Sequence, residues 1–229
     1  MKIACVQSDI IARNPENNFK HLDNLFKKIQ DDTDIIILPE TFTTGFPAEP
    51  ELFAEDENGA TMTWLREKAK EKNCAICGSF ITAFGLQSTV YGLQTPSNSQ
   101  ILKFHNTFVW MNPDGSYQTY DKRHTFMGGE KEQLCTGENL ITINYKGWRI
   151  RPFVCYDLRF PVWLRNSYKD GVFGYDLAIV IANWPMKKSH IWNTLLPARA
   201  IENQAYFIGV NRVGIDHNKI PYIGETKVV

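Results

Sequence analysis

An α/β fold with a sheet core covered by helices on both sides is predicted by three features of this sequence. Short, continuously apolar runs such as "DIIILPE" and "DLAIVIAN" have the length and β-branched content of strands buried on both faces. Stretches with apolar residues at helical spacing separate several of them. A middle block of strands joined by tight turns adds antiparallel pairs, so strand directions should be mixed, and two such sheets packed face to face would bury the runs completely.

"KIACVQ" is a short buried strand, and "NPENNFKHLDNLFKKIQ" behind it is a helix, with Phe19, Leu22, Phe26 and Ile29 on one face and an Asn14-Pro15-Glu16 start. "DIIILPE" is the next strand and carries Glu40 at its C-terminal end. "TMTWLREKAKEK" is a charged amphipathic helix, and "CAICGSF" returns to strand. "AFGLQSTVYGLQTPSNSQ" is rich in Gly, Ser and Gln and reads as a surface loop. "NTFVWM" and "SYQTYD" flank Asn112-Pro113-Asp114-Gly115, a type I turn signature. "NLITINY" and "WRIRPFVCY" flank Lys146-Gly147 and form a second hairpin. A helix from about Pro161, the strand "DLAIVIAN", a helix through "HIWNTLLPARAIENQ" and the strand "AYFIGVNR" complete the alternation.

The chain has 229 residues, 43% of them hydrophobic, and carries 25 basic against 25 acidic side chains. That is enough for a large core, and a single domain over residues 1–229 is expected. Balanced and dispersed charge gives no positive field for phosphate backbones, so no nucleic-acid partner is expected. No apolar run approaches the roughly 20 residues needed to span a bilayer, and "MKIACVQSDI" is too short a stretch for a signal peptide. No membrane association is expected, and a cytoplasmic location follows.

Five cysteines, an odd number in a reducing compartment, argue against a disulfide framework. Cys74 and Cys77 have Cys-x-x-Cys spacing, but in a strand residues three apart point to opposite faces and cannot hold one metal. No metal site is expected.

Strand ends are where an α/β sheet offers side chains to a ligand. Glu40 ends "DIIILPE", Lys122 ends "GSYQTYDK" and Cys155 ends "RPFVC". Each alone has a bland reading: a helix-start acid, a solvated charge, a buried thiol. Together they make an acyl-transfer site. A thiol is a weak nucleophile at neutral pH until a base takes its proton, and Glu40 would be that base. Attack on an amide carbon creates an oxyanion, which the Lys122 ammonium and the backbone N–H of Tyr156 could stabilise. A buried lysine needs a counter-charge, for which Glu130 and Glu132 are both available.

These motifs, "LPETFTTGF", "YDKRHTF" and "RPFVCYDLRFPVW" in that order, with "IANWP" and "LLPARAIENQAYFIGVNRVG", resemble those of the nitrilase superfamily of C–N hydrolases, most closely its omega-amidase branch. The resemblance runs from residue 1 almost to the end. It implies a four-layer α-β-β-α sandwich, no metal or organic cofactor, a homodimer or larger homo-oligomer, and a thioester acyl-enzyme resolved by water. It places the general base on Glu40, the lysine on Lys122 and the nucleophile on Cys155, with the second glutamate on Glu130 rather than Glu132. The implied activity is hydrolysis of a small ω-amide, such as 2-oxoglutaramate or 2-oxosuccinamate, to the acid and ammonia.

Asn183 and Trp184, at the end of the next strand, are candidate substrate-binding residues. Arg159 in "DLRFP" is equally suited to a structural ion pair and is left unassigned. The segment from about Phe84 to Gln100 is longer than the family's usual hairpin turn. Family members also continue past "YIGETKVV" with another strand and a C-terminal segment, whereas this chain stops at Val229. Three alternatives follow: an N-carbamoyl amino acid amidohydrolase of the same superfamily, a Cys-His hydrolase using His124 or His190, and a weakly active or non-catalytic binding protein.

Overall fold

The computed structural model of the chain describes residues 1–46, 49–84 and 103–229. The long segment after Phe84, noted above as a surface loop, falls from residue 85 to 102 outside the described residues.

Two five-stranded sheets form the centre. The first contains β1 (Ile3–Cys5), β2 (Ile35–Ile37), β3 (Ala75–Phe84), β4 (Lys103–Met111) and β5 (Tyr117–Asp121), in that spatial order. β1, β2 and β3 run parallel, and β4 and β5 continue antiparallel. The second is built from β6 (Ile143–Tyr145), β7 (Trp148–Val154), β10 (Leu177–Ala182), β11 (Tyr206–Asn211) and β14 (Lys227–Val228), with the parallel trio β7-β10-β11 at its centre. Two small hairpins pair β8 (Tyr168–Lys169) with β9 (Val172–Phe173) and β12 (Val213–Ile215) with β13 (Pro221–Ile223).

Side-chain alternation explains why the strands are apolar throughout. Ile35 and Ile37 of β2 point between the sheets, where Trp110, Val154, Ile179 and Val210 also meet. Ile36 points the other way, into a layer made by α1 (Pro15–Phe26) and α3 (Ala60–Lys72) through Leu22, Phe26, Trp64 and Leu65. The outer face of the second sheet is covered by α5 (Ser189–Asn203), whose Trp192 and Leu196 pack on Phe153, Val180 and Phe207. The result is the expected four-layer α-β-β-α sandwich. Cys74 and Cys77 fall in different layers, one under the helices and one between the sheets.

Among the described residues no helix is long and apolar enough to cross a membrane. Two further short helices, α2 (Pro50–Phe53) and α4 (Pro161–Leu164), sit at loop positions.

Some boundaries differ from the sequence reading. "NLITINY" supplies only the three residues of β6. In its register with β7, Ile143 faces Ile150, so the next ladder bond would need an N–H from Pro152, which has none. The helix expected from Pro161 is only α4, because Asn166 redirects the chain, its backbone N–H donating to Asn203 Oδ1 and its amide to the Tyr175 carbonyl. The Lys146-Gly147 turn has positive φ at both residues (48° and 81°), the geometry of the tightest hairpin connection.

Candidate active site

β2, β5, β7 and β10 all end on the same side of the sandwich, and the loops that follow them surround one cleft of about 420 Å³. Glu40, Lys122, Cys155, Tyr156, Asn183 and Trp184 all line it. Glu130 stands behind Lys122 and is buried, whereas Glu132 is exposed.

Cys155 does not end its strand, as the sequence suggested. β7 stops at Val154, and Cys155 opens a single 3₁₀ turn over Cys155–Arg159 with φ +45°, a left-handed conformation that costs a non-glycine residue roughly 1–3 kcal/mol. The sharp bend turns the thiol from the sheet toward the cleft. Tyr156 follows in the first turn, where a helical N–H has no intrahelical partner, and it lines the cleft.

Glu40 is buried in a cage of donors. Its Oε1 accepts from Lys122 Nζ at 2.8 Å and Asn106 Nδ2 at 2.9 Å, and its Oε2 accepts from the backbone N–H of Asn183 at 2.7 Å. Lys122 Nζ also donates to both oxygens of Glu130, at 2.9 and 2.7 Å. Glu130 is tied in place by the Phe126 backbone N–H at 2.7 Å and by Asn106 Nδ2 at 3.1 Å. Two carboxylates therefore share one ammonium and one side-chain amide, all out of water.

The electrostatics follow. Burial raises the Glu40 pKa, an effect opposed by the Lys122 charge and reinforced by that of Glu130. Burial works against the Lys122 ammonium, but Glu130 and Glu40 outweigh it and hold the lysine protonated well beyond its ordinary range. Burial, then the charge of Glu40, pushes the Cys155 thiol well up, with Lys122 pulling the other way. The resting pair is a thiol beside a carboxylate of heightened basicity. That arrangement suits proton transfer during attack rather than a standing thiolate.

The substrate-binding candidates divide. Asn183 lines the cleft; its amide nitrogen donates to Thr41 Oγ1 and the Glu40 carbonyl and its backbone N–H holds Glu40, while its Oδ1 is buried without a hydrogen-bond partner among the described residues. Trp184 is buried rather than exposed, with its indole N–H donating to the Lys188 carbonyl and its ring against Trp192. Arg159 forms no ion pair among the described residues. Its guanidinium sits 5.7 Å from the Tyr156 ring centre and 5.5 Å from that of Trp184, on the cleft wall. Lys188 is seated similarly, 4.5 Å over Phe126. His124 and His190 do not line the cleft.

Sequence reading missed Asn106, Phe126 and Asp157, the last a buried carboxylate that accepts the Val154 backbone N–H beside Cys155. Asn106 had a signal: a lone amide inside the apolar run of β4. Asp157 had none, since a single acid after a cysteine looks like a solvated charge.

The chain matches the model of the carbon–nitrogen hydrolase family over residues 2–229. It is 40% identical to the omega-amidase YafV of Escherichia coli K12 over 232 residues, covering all of this chain and 81% of that protein. It is 28% identical to the 2-oxoglutaramate amidase of Bacillus subtilis, over 93% of this chain and 76% of that one. In structure it resembles XC1258 from Xanthomonas campestris, a CN-hydrolase superfamily protein crystallised with an arsenic adduct in its active site. The TM-score is 0.87 at 38% identity, over 99% of this chain and 81% of the other. A cysteine, a lysine and two glutamates gathered at one end of two sheets thus stand in a chain that belongs to the carbon–nitrogen hydrolase family of the nitrilase superfamily, enzymes that act on C–N bonds.

Proposed function

We propose that this protein is a cysteine amidase hydrolysing small ω-amides that carry a carboxylate, such as 2-oxoglutaramate or 2-oxosuccinamate, to the acid and ammonia. The observation that carries this reading is the meeting of Cys155 with the Glu40–Lys122–Glu130 cluster on the cleft floor. Glu40 takes the thiol proton as Sγ attacks the amide carbon, and the carbonyl oxygen becomes an oxyanion facing the Lys122 ammonium and the Tyr156 N–H. Glu40 then gives the proton to the nitrogen, the C–N bond breaks, and ammonia leaves a thioester on Cys155. Water, losing a proton to Glu40, attacks the thioester. Collapse expels the thiolate, which recovers the proton, and releases the acid.

Substrate choice is read from the cleft walls. Arg159 and Lys188 are cations held on aromatic faces and free of carboxylate partners among the described residues. A guanidinium binds a carboxylate through two parallel N–H bonds, so Arg159 is the better anchor. The similarity to the two amidases named above supports the same substrate class.

The test is ammonia release from a panel of ω-amides of dicarboxylic acids, N-carbamoyl amino acids and nitriles, with wild type and Cys155→Ala. Turnover of the ω-amides that vanishes in the variant is the expected result. Preference for carbamoyl compounds, or undiminished turnover by Cys155→Ala, would overturn the assignment.

A further inference from the structure

Two residues beyond each of Lys122 and Cys155 lies a residue that binds the other's: His124 and Asp157. Asp157 is fully buried, and its carboxylate accepts four hydrogen bonds. Oδ1 receives the His124 backbone N–H at 2.9 Å and lies 2.8 Å from His124 Nδ1. Oδ2 receives the Tyr120 hydroxyl at 2.7 Å and the Val154 backbone N–H at 3.0 Å. A carboxylate only accepts, so Nδ1 is the ring nitrogen that carries the hydrogen. Tyr120 in turn accepts from Trp163 Nε1 at 2.9 Å. The His124 ring is stacked on Phe160, with ring centres 3.6 Å apart and planes 5° from parallel.

Each contact falls on a catalytic segment. Tyr120 and His124 bracket Lys122, while Val154 and Asp157 bracket Cys155, whose positive φ must be held by its surroundings. β5 and β7 belong to different sheets, so no backbone ladder joins these two segments.

We propose that His124 is a positioning residue: with Asp157 and Tyr120 it clamps the lysine loop of one sheet to the nucleophile elbow of the other, fixing Cys155 Sγ against Glu40 and Lys122. Its role is not that of a base for Cys155, because the ring does not line the cleft; the Nδ1–H bond to Asp157 and the stack on Phe160 fix the ring in place. The catalytic part of this inference rests on the amidase reading above.

His124→Leu removes the ring donor at a half-buried site, so folding should survive where a change at buried Asp157 would endanger it. His124→Asn restores an N–H at nearly the position of Nδ1. Both are compared with wild type for ω-amide turnover and for alkylation of Cys155 by iodoacetamide, which needs no substrate, with melting temperature as a check on folding. His124→Leu should lower kcat and the alkylation rate about ten- to a hundredfold while KM stays within about threefold, and His124→Asn should recover most of both. Wild-type rates in His124→Leu, or an Asn variant as slow as the Leu variant, would overturn the clamp. Should every amide be inert even with wild type while alkylation follows the expected order, the substrate assignment fails and the clamp stands.

Discussion

The side-chain amide of Asn106 lies 2.9 Å from Oε1 of Glu40, the oxygen that also accepts from Lys122, and the same nitrogen reaches Glu130 at 3.1 Å. Asn106 is buried on β4, and its backbone carbonyl accepts the Lys122 N–H at 2.9 Å. One residue therefore contacts all three charged members of the cluster. Replacing it with leucine, nearly the same in shape, removes a donor from the ionised forms of both glutamates. Glu40 should become harder to ionise, so kcat should fall about tenfold or more and the acidic limb of the pH–rate profile should move to higher pH. Steady-state rates across pH would check this, and a limb that stays put would assign Asn106 to packing alone.

The base itself sets that limb. In the proposed mechanism Glu40 works only when ionised, and its pKa is raised above the ordinary 4.5, first by burial and further by the charge of Glu130. Activity should therefore fall as pH drops through a value above 4.5. Glu130→Gln removes one of the raising charges, so the limb should shift to lower pH even as kcat falls from a looser Lys122. Because Lys122 is raised rather than lowered, its own deprotonation should produce no alkaline limb below the ordinary lysine value of 10.5.

Glu40→Gln keeps the shape and removes the proposed base. Its kcat should drop by about a thousandfold or more, since general-base help and nucleophile activation are lost together. Cys155→Ala should be equally inactive, and mass spectrometry after a substrate pulse should find no acyl adduct in it. An active Glu40→Gln protein would send the search for the base elsewhere.

Arg159 offers a test of selectivity. Charge-assisted hydrogen bonds contribute about 1.5–3 kcal/mol, so Arg159→Leu should reduce kcat/KM for carboxylate-bearing amides by about tenfold to a hundredfold. Simple neutral amides should be affected far less. Equal losses on both classes would mean that Arg159 supports the wall of the cleft through Tyr156 and Trp184 and does not read the substrate.

A stability prediction concerns the second sheet. A Cβ on Gly209 of β11 would lie 2.4 Å from Leu196 Cδ1 and 2.6 Å from Trp192 Cζ2, both on buried side chains of α5. Gly209→Ala should destabilise the fold by about 1–3 kcal/mol through this overpacking, read as a lower denaturation midpoint with an unchanged slope.

The alternation of apolar runs and amphipathic stretches was enough to place β2, β3, β4, β10 and β11 and helices α1, α3 and α5, because burial on both faces of a sheet leaves no polar face to confuse the period. Elements whose length depends on neighbours were not readable. β6 is cut short by a proline on its partner strand, and the helix after Pro161 is cut short by hydrogen bonds from Asn166 to residues far along the chain.

The reactive groups were legible in the sequence: a thiol, a lysine and acids in the segments that follow strands, with residue types that suit acyl transfer. The surroundings of each group came only with the folded chain. It buried Glu130 against Lys122 and left Glu132 in solvent, set the Asn183 backbone N–H on Glu40, placed Arg159 on the cleft wall and joined His124 to Asp157 across two sheets. The reason is physical. The reactivity of a side chain depends on its distance from other charges and from water, and those distances are fixed between segments far apart in the chain, here residues 40, 106, 122, 155 and 183, which no local pattern relates.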